Sequence, residues 1–69
     1  MEITVNGKKE TLEKELSVNE LLQTLNVEMP QYVTVQINEE LIDREDFENL
    51  IVVEGDEVEF LYFMGGGTL

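Results

Sequence analysis

Few residues in this chain of 69 are equipped for chemistry, and the foremost candidates are the consecutive glycines Gly65, Gly66 and Gly67 near its C-terminal end. Glycines have no side chain to bury and lose the most conformational freedom on ordering, so this run is expected to extend into solvent as a flexible tail. Such a tail is thin enough to enter a channel in another protein, where its backbone approaches a reactive centre without obstruction. A glycine carboxylate at its end is the least hindered acyl group a protein can offer to a nucleotide. The same run can also be a frayed end or an expression remnant, and what precedes it in the chain decides between these readings. It is not a phosphate loop, because no strand-to-helix context and no following Lys-Ser/Thr accompany it.

The other side chains argue against catalysis by the chain itself. There is no histidine and no cysteine, which removes the usual general base near neutral pH, thiolate nucleophiles, disulfides and thiolate zinc sites. Ser17 is the only serine, and helix capping accounts for it. Asp43, Glu45, Asp46 and Glu48 lie close in sequence. They lack the spacing and fixed glycine of an Asp-rich calcium loop, so they read as a solvated acidic loop. Neither a metal nor a bound cofactor is expected.

Sixteen acidic residues face four basic ones, Lys8, Lys9, Lys14 and Arg44, for a formal charge of −12. A field of that sign repels phosphate backbones and anionic membrane surfaces, so neither nucleic acid nor membrane is an expected partner. The charge serves solubility and a monomeric free state, and it also steers the chain toward a basic protein partner. The hydrophobic fraction of 42% fits a folded domain, and the length allows one domain only. The chain opens on an apparent strand, Met1-Glu2-Ile3, without a leader pattern or a long apolar run, so a cytoplasmic location is expected.

These features need a scaffold, and the sequence describes one. In Glu2-Ile3-Thr4-Val5, Ile3 and Val5 share a face, and Asn6-Gly7 supplies a hairpin turn. A second strand is expected over roughly Lys9 to Leu16, with Leu12 pointing inward. Ser17-Val18-Asn19-Glu20 is a capping box, in which the Ser17 hydroxyl and the Glu20 carboxylate each satisfy the other's backbone amide. Val18, Leu21, Leu22 and Leu25 then form one helical stripe, and the helix is expected to stop near Asn26, before Met29-Pro30. Val33, Val35 and Ile37 mark a further strand, followed by a turn at Asn38-Glu39-Glu40 and a short strand at Leu41-Ile42. Asp43 to Phe47 reads as irregular or a single helical turn, Leu50 to Val53 as a short apolar run, and Glu54-Gly55-Asp56 as a turn. The last strand, Glu57 to Phe63, has Val58, Phe60 and Tyr62 on one side and Glu59, Leu61 and Phe63 on the other. The order suits an α+β fold of β-grasp type: a mixed four- to five-stranded sheet, one helix packed across one face, and the first and last strands as central neighbours. Residues 1–64 form the expected domain and residues 65–69 the tail. A tail that follows the last strand of this pattern directly reads as functional.

The sequence resembles the ThiS family of sulfur carriers, relatives of the molybdopterin synthase small subunit and more distantly of ubiquitin. The resemblance covers essentially the whole chain. It rests on Val5-Asn6-Gly7, Ser17-Val18-Asn19-Glu20-Leu21-Leu22, Val35-Gln36-Ile37-Asn38 and Ile42-Asp43-Arg44-Glu45. It closes with Glu54-Gly55-Asp56-Glu57-Val58, leading into Phe63-Met64-Gly65-Gly66-Gly67. The resemblance implies a ubiquitin-like fold and a shuttle rather than a catalyst. An E1-like adenylating enzyme of the ThiF/MoeB type would consume ATP to form an acyl-adenylate on the terminal glycine. Sulfur from a cysteine desulfurase relay would displace AMP and leave a thiocarboxylate. The implied acceptor is thiazole synthase of the ThiG type, in thiamine biosynthesis. Other acceptors stay open: a molybdopterin precursor, a tRNA base or an activated amino acid. So does a ubiquitin-like modifier or interaction domain.

Family members commonly finish at the glycine, whereas here Thr68-Leu69 follows. The bulk of Leu69 should clash in a glycine-shaped channel, so a processing peptidase is expected to remove both residues and expose Gly67. Leu61, Phe63 and Met64, beside the tail and away from the expected core, are the candidate docking patch for the activating enzyme, with extra core packing as the alternative.

Overall fold

The computed structural model describes residues 1–62. Phe63, Met64, Gly65, Gly66, Gly67, Thr68 and Leu69 lie outside the described residues, and so does the expected boundary between domain and tail.

Strand β1 (Glu2–Val5) runs antiparallel to β2 (Lys8–Thr11). Asn6 and Gly7 join them with φ of 50° and 82°, the left-handed pair a two-residue hairpin turn requires. The second strand is shorter than the sequence suggests. The amide of Leu12 donates to the Met1 carbonyl, and the Met1 ammonium donates back to the Leu12 carbonyl, which closes the ladder. The chain then leaves the sheet through exposed Glu13, Lys14 and Glu15. Strand β3 (Leu16–Ser17) pairs with β6 (Ile51–Val52) in a separate two-stranded ribbon. The split lets Leu12 and Leu16 both reach the core, where each is buried.

Helix α1 (Val18–Thr24) begins on the expected capping box, with both reciprocal bonds formed at 2.9 and 3.1 Å. It ends through Asn26, at φ 55°. The Asn26 amide donates to Gln23 and the Val27 amide to Leu22, the paired bonds of a Schellman motif with asparagine in the left-handed position. Val18, Leu21 and Leu22 are buried, and Leu25 packs at the margin of the core.

The chain returns through β4 (Thr34–Ile37), a turn at Asn38 and Glu39, and β5 (Glu40–Ile42). A 3-10 turn (Arg44–Asp46) follows, and it places buried Phe47 beneath the helix start, where the Asn19 amide donates to the Phe47 carbonyl. The chain then passes through β6 and the Gly55 turn to β7 (Glu57–Leu61).

The main sheet has the order β2-β1-β7-β4-β5, with β1 and β7 parallel and the other pairs antiparallel. The first and last strands are therefore interior neighbours, as the sequence pattern requires. Ile3, Val5, Val35, Ile37 and Val58 form the buried inner face, which packs with the helix stripe, Val33, Phe47 and Val52 into one core. Burying each such side chain contributes roughly 1.5–3 kcal/mol. This is a mixed-sheet, single-helix, ubiquitin-like β-grasp fold. No helix among the described residues is long and apolar enough to cross a membrane.

Candidate functional site

The expected tail follows β7 in the sequence, so the candidate site is built around the end of that strand. Strand β7 is held on both edges. On one side β1 runs parallel, with the Thr4 amide donating to Asp56 and the Asn6 amide to Val58. At Asn6-Gly7 that neighbour turns away, and the Asn6 side chain supplies the next acceptor: its Oδ1 takes the Phe60 amide at 2.9 Å. On the other side β4 stays paired as far as Thr34 opposite Leu61. The strand is thus bonded as far as its last residue, Leu61.

The face opposite the helix is open. The register places Leu61 opposite Thr34, and Glu59 and Leu41 opposite Gln36. Leu61, the one docking candidate within the described residues, is half-buried there. Phe63, Met64 and the glycines Gly65, Gly66 and Gly67 cannot be placed beside it, since they fall outside. Leu41 is 62% exposed on the same face. Sequence reasoning passed over it, although carrying the register through the Asn38-Glu39 turn would have put it opposite Gln36. Glu57 and Glu59, on the same strand and face as Leu61, are exposed.

Tyr62 follows Leu61 and belongs by alternation to the core side. There it reaches the margin rather than the interior. It is 42% exposed, and its hydroxyl donates to the Glu28 carbonyl at 2.6 Å. Glu28 lies in the irregular segment between α1 and β4, where Asn26 and Met29 both have positive φ. Arg44 holds the same segment from the other side. Its Nη1 donates to the Pro30 carbonyl at 3.1 Å and its Nη2 to the Val33 carbonyl at 2.7 Å. The guanidinium also sits 4.9 Å from the centre of the Phe47 ring, a cation–π contact. Charge-assisted bonds to two carbonyls at once suit the rigid fork of arginine and not lysine.

Among the described residues no cluster of three or more metal-ligating side chains is present. The acidic loop is exposed at Asp43, Glu45, Asp46 and Glu48. One ion pair, Lys9 with Glu2 at 3.9 Å, lies in the open and contributes little to stability. The site therefore offers an acidic, partly apolar sheet face and a last described strand whose end is held by the Asn6 and Tyr62 side chains.

The mixed sheet with its single helix defines a β-grasp protein, and comparison narrows the class. The model of the ThiS family matches residues 1–67. The chain belongs to the ThiS family. A crystal structure described as thiamine biosynthesis protein (ThiS) from Geobacter metallireducens is 52% identical, covers 97% of this chain and all of its own, and superimposes with a TM-score of 0.91. A solution structure of a thiamine biosynthesis protein from the same organism is also 52% identical. It covers 100% of this chain and 91% of its own, with a TM-score of 0.77. A thiazole synthase from Paramagnetospirillum magneticum is 29% identical over 68 residues, which is 99% of this chain and 21% of that protein. The chain thus spans about a fifth of the length of that relative.

Proposed function

We propose that this chain is a sulfur carrier for thiamine thiazole biosynthesis, acting in the cytoplasm and not itself an enzyme. The observation that carries the reading is a glycine run following the interior strand of a ThiS-family fold. The 52% identical relatives described as thiamine biosynthesis proteins support the pathway. The likeness of nearly the whole chain to one stretch of a thiazole synthase supports a ThiG-type enzyme as the carrier's partner and sulfur acceptor. The family match ending at Gly67 supports that residue as the acyl donor, once a peptidase has removed Thr68 and Leu69.

The carrier's part in the chemistry is that of an acyl group on a handle. A Gly67 carboxylate oxygen attacks the α-phosphorus of ATP in a ThiF/MoeB-type enzyme, and pyrophosphate leaves. Hydrosulfide attacks the acyl carbon and expels AMP. Where a cysteine desulfurase relay supplies the sulfur as a persulfide, its terminal sulfur attacks instead to give an acyl disulfide with loss of AMP, and a thiol then reduces that disulfide and frees the thiocarboxylate. The product is a thiocarboxylate, whose sulfur is the nucleophile delivered to the acceptor. The carrier itself needs no bound cofactor, since ATP is consumed by the partner.

The test uses a form ending at Gly67, incubated with ATP, a ThiF-type adenylating enzyme and sulfide, and read by intact mass. The expected result is a gain of one sulfur-for-oxygen exchange, absent from the form that retains Thr68-Leu69. Isopeptide adducts on lysine would instead establish a ubiquitin-like modifier. Sulfur loading of the intact Leu69 form would overturn the processing step.

A further inference from the structure

Tyr62 and Arg44 hold one segment from two sides, and the family reading leaves both unexplained. Residues 26–33 form no regular structure, yet the segment is fixed at Glu28 by the Tyr62 hydroxyl and at Pro30 and Val33 by the Arg44 guanidinium. Within the segment, the Tyr32 amide donates to the Met29 carbonyl, so the contacts act on a single folded turn. Tyr62 is the last described residue, immediately past the end of β7. A side chain bonded at that position restrains the backbone of Tyr62 itself.

We propose that Tyr62 is a positioning residue for the tail: its bond to the Glu28 carbonyl restrains the residue that follows the last described strand, and Arg44 supports that restraint by clamping the segment that carries Glu28. The physical need comes from association. A tail threaded into a narrow channel loses backbone freedom on binding, and this loss opposes affinity. Restricting the first residue after the strand lowers the loss without adding any contact to the partner. The contribution therefore falls on capture of the carrier and not on the chemical step. A braced strand end beside an acidic face also fits a partner whose channel mouth is lined by basic side chains, because Glu57 and Glu59 lie exposed on the exit strand itself.

The inference rests on the sulfur-carrier reading for its use, but the brace can be tested without it. In Tyr62→Phe the ring is kept and the donor is lost. In Arg44→Gln the two-carbonyl fork is lost from an exposed position, so both variants are expected to fold. In the free protein, backbone order parameters from nitrogen relaxation are expected to fall at Leu61 and Tyr62 and across residues 28–33 in both variants. Unchanged order at these residues overturns the brace. In ATP–pyrophosphate exchange with a ThiF-type enzyme and the Gly67-terminated form, each variant is expected to raise the KM for the carrier about threefold to tenfold, the scale of one hydrogen bond. The kcat should be little changed. The double variant should cost less than the two single effects combined, because both act through one segment. A fall in kcat with unchanged KM, or fully independent effects, overturns the positioning role. If the unsubstituted form is not adenylated at all, the carrier reading fails, and the order parameters alone decide the brace.

Discussion

Asn6 carries two separable loads, and substituting it tests how the exit strand is held. Its backbone sits at φ 50° in the β1–β2 turn, and its side chain accepts the Phe60 amide where β1 has already turned away. Asn6→Gly keeps the left-handed backbone accessible and removes only the acceptor. That bond lies in an exposed setting, so water partly replaces it and the loss is about 0.5–1 kcal/mol. Asn6→Ala loses the same acceptor and in addition holds in the left-handed region a residue that lacks both the freedom of glycine and the polar side chain by which asparagine tolerates it, which adds roughly 1 kcal/mol. For a domain this small, 1 kcal/mol corresponds to about 4–8 °C in Tm. The glycine variant is therefore expected to melt a few degrees lower, and the alanine variant lower again by about 4–8 °C. Urea and thermal unfolding followed by circular dichroism give these values, and amide exchange gives the local effect. Phe60 exchange should quicken in both variants, by more than the global loss of stability predicts, while Val58, bonded within the ladder, follows the global change only. Equal stability of the two variants would refute the backbone contribution. Phe60 protection that tracks global stability would refute the role of Asn6 as a ladder extension.

Leu61→Asp places a charge on the open face at a half-buried position, and is expected to weaken binding to a ThiF-type enzyme by about tenfold or more, given the usual weight of a desolvated apolar contact. Titration calorimetry measures it, and unchanged affinity in a folded variant rejects Leu61 as a docking residue. Ser17→Ala removes one half of the capping box and is expected to cost about 1 kcal/mol. A urea midpoint equal to that of the unsubstituted protein would show that the helix start is held by the β3–β6 ribbon and not by its cap.

Much of this architecture was legible because the relevant chemistry is local. Asn6-Gly7 dictates a left-handed turn whatever surrounds it, and Ser17 to Glu20 closes its own capping box over a span of three residues. The alternation of Val33, Val35 and Ile37 needs only a sheet with one buried face. What could not be read involves partners far apart in sequence. The break between β2 and β3 follows from Met1 meeting Leu12 and from Leu16 pairing with Val52, and Glu10 to Leu16 contains nothing that marks it. Arg44 was legible as a matched residue but not as a clamp, because its acceptors lie 14 and 11 residues away. Tyr62 was placed on the core side by alternation, yet its working atom is the hydroxyl, whose acceptor is 34 residues distant. The glycine run is read from residue type alone, and it lies outside the described residues.

The position of β7 within the sheet bears directly on the proposed function. A carrier whose tail is drawn into a channel experiences a pull along its last strand. If that strand lay on an edge, the pull would be opposed by one ladder, and the strand would peel away bond by bond. Here the chain crosses over so that its final strand is inserted between β1 and β4. The load is then shared by two ladders, one parallel and one antiparallel, and displacing β7 would expose Val58 and the inner-face residues beside it. Near the exit the parallel ladder is finished by a side chain, Asn6, and beyond the last described pair the restraint passes to the Tyr62 hydroxyl. Cooperative burial holds the strand, and single hydrogen bonds of modest strength hold the exit. On the proposed carrier reading, a firm strand with a lightly braced end is what a tail needs to enter and leave a partner without unfolding the domain that carries it.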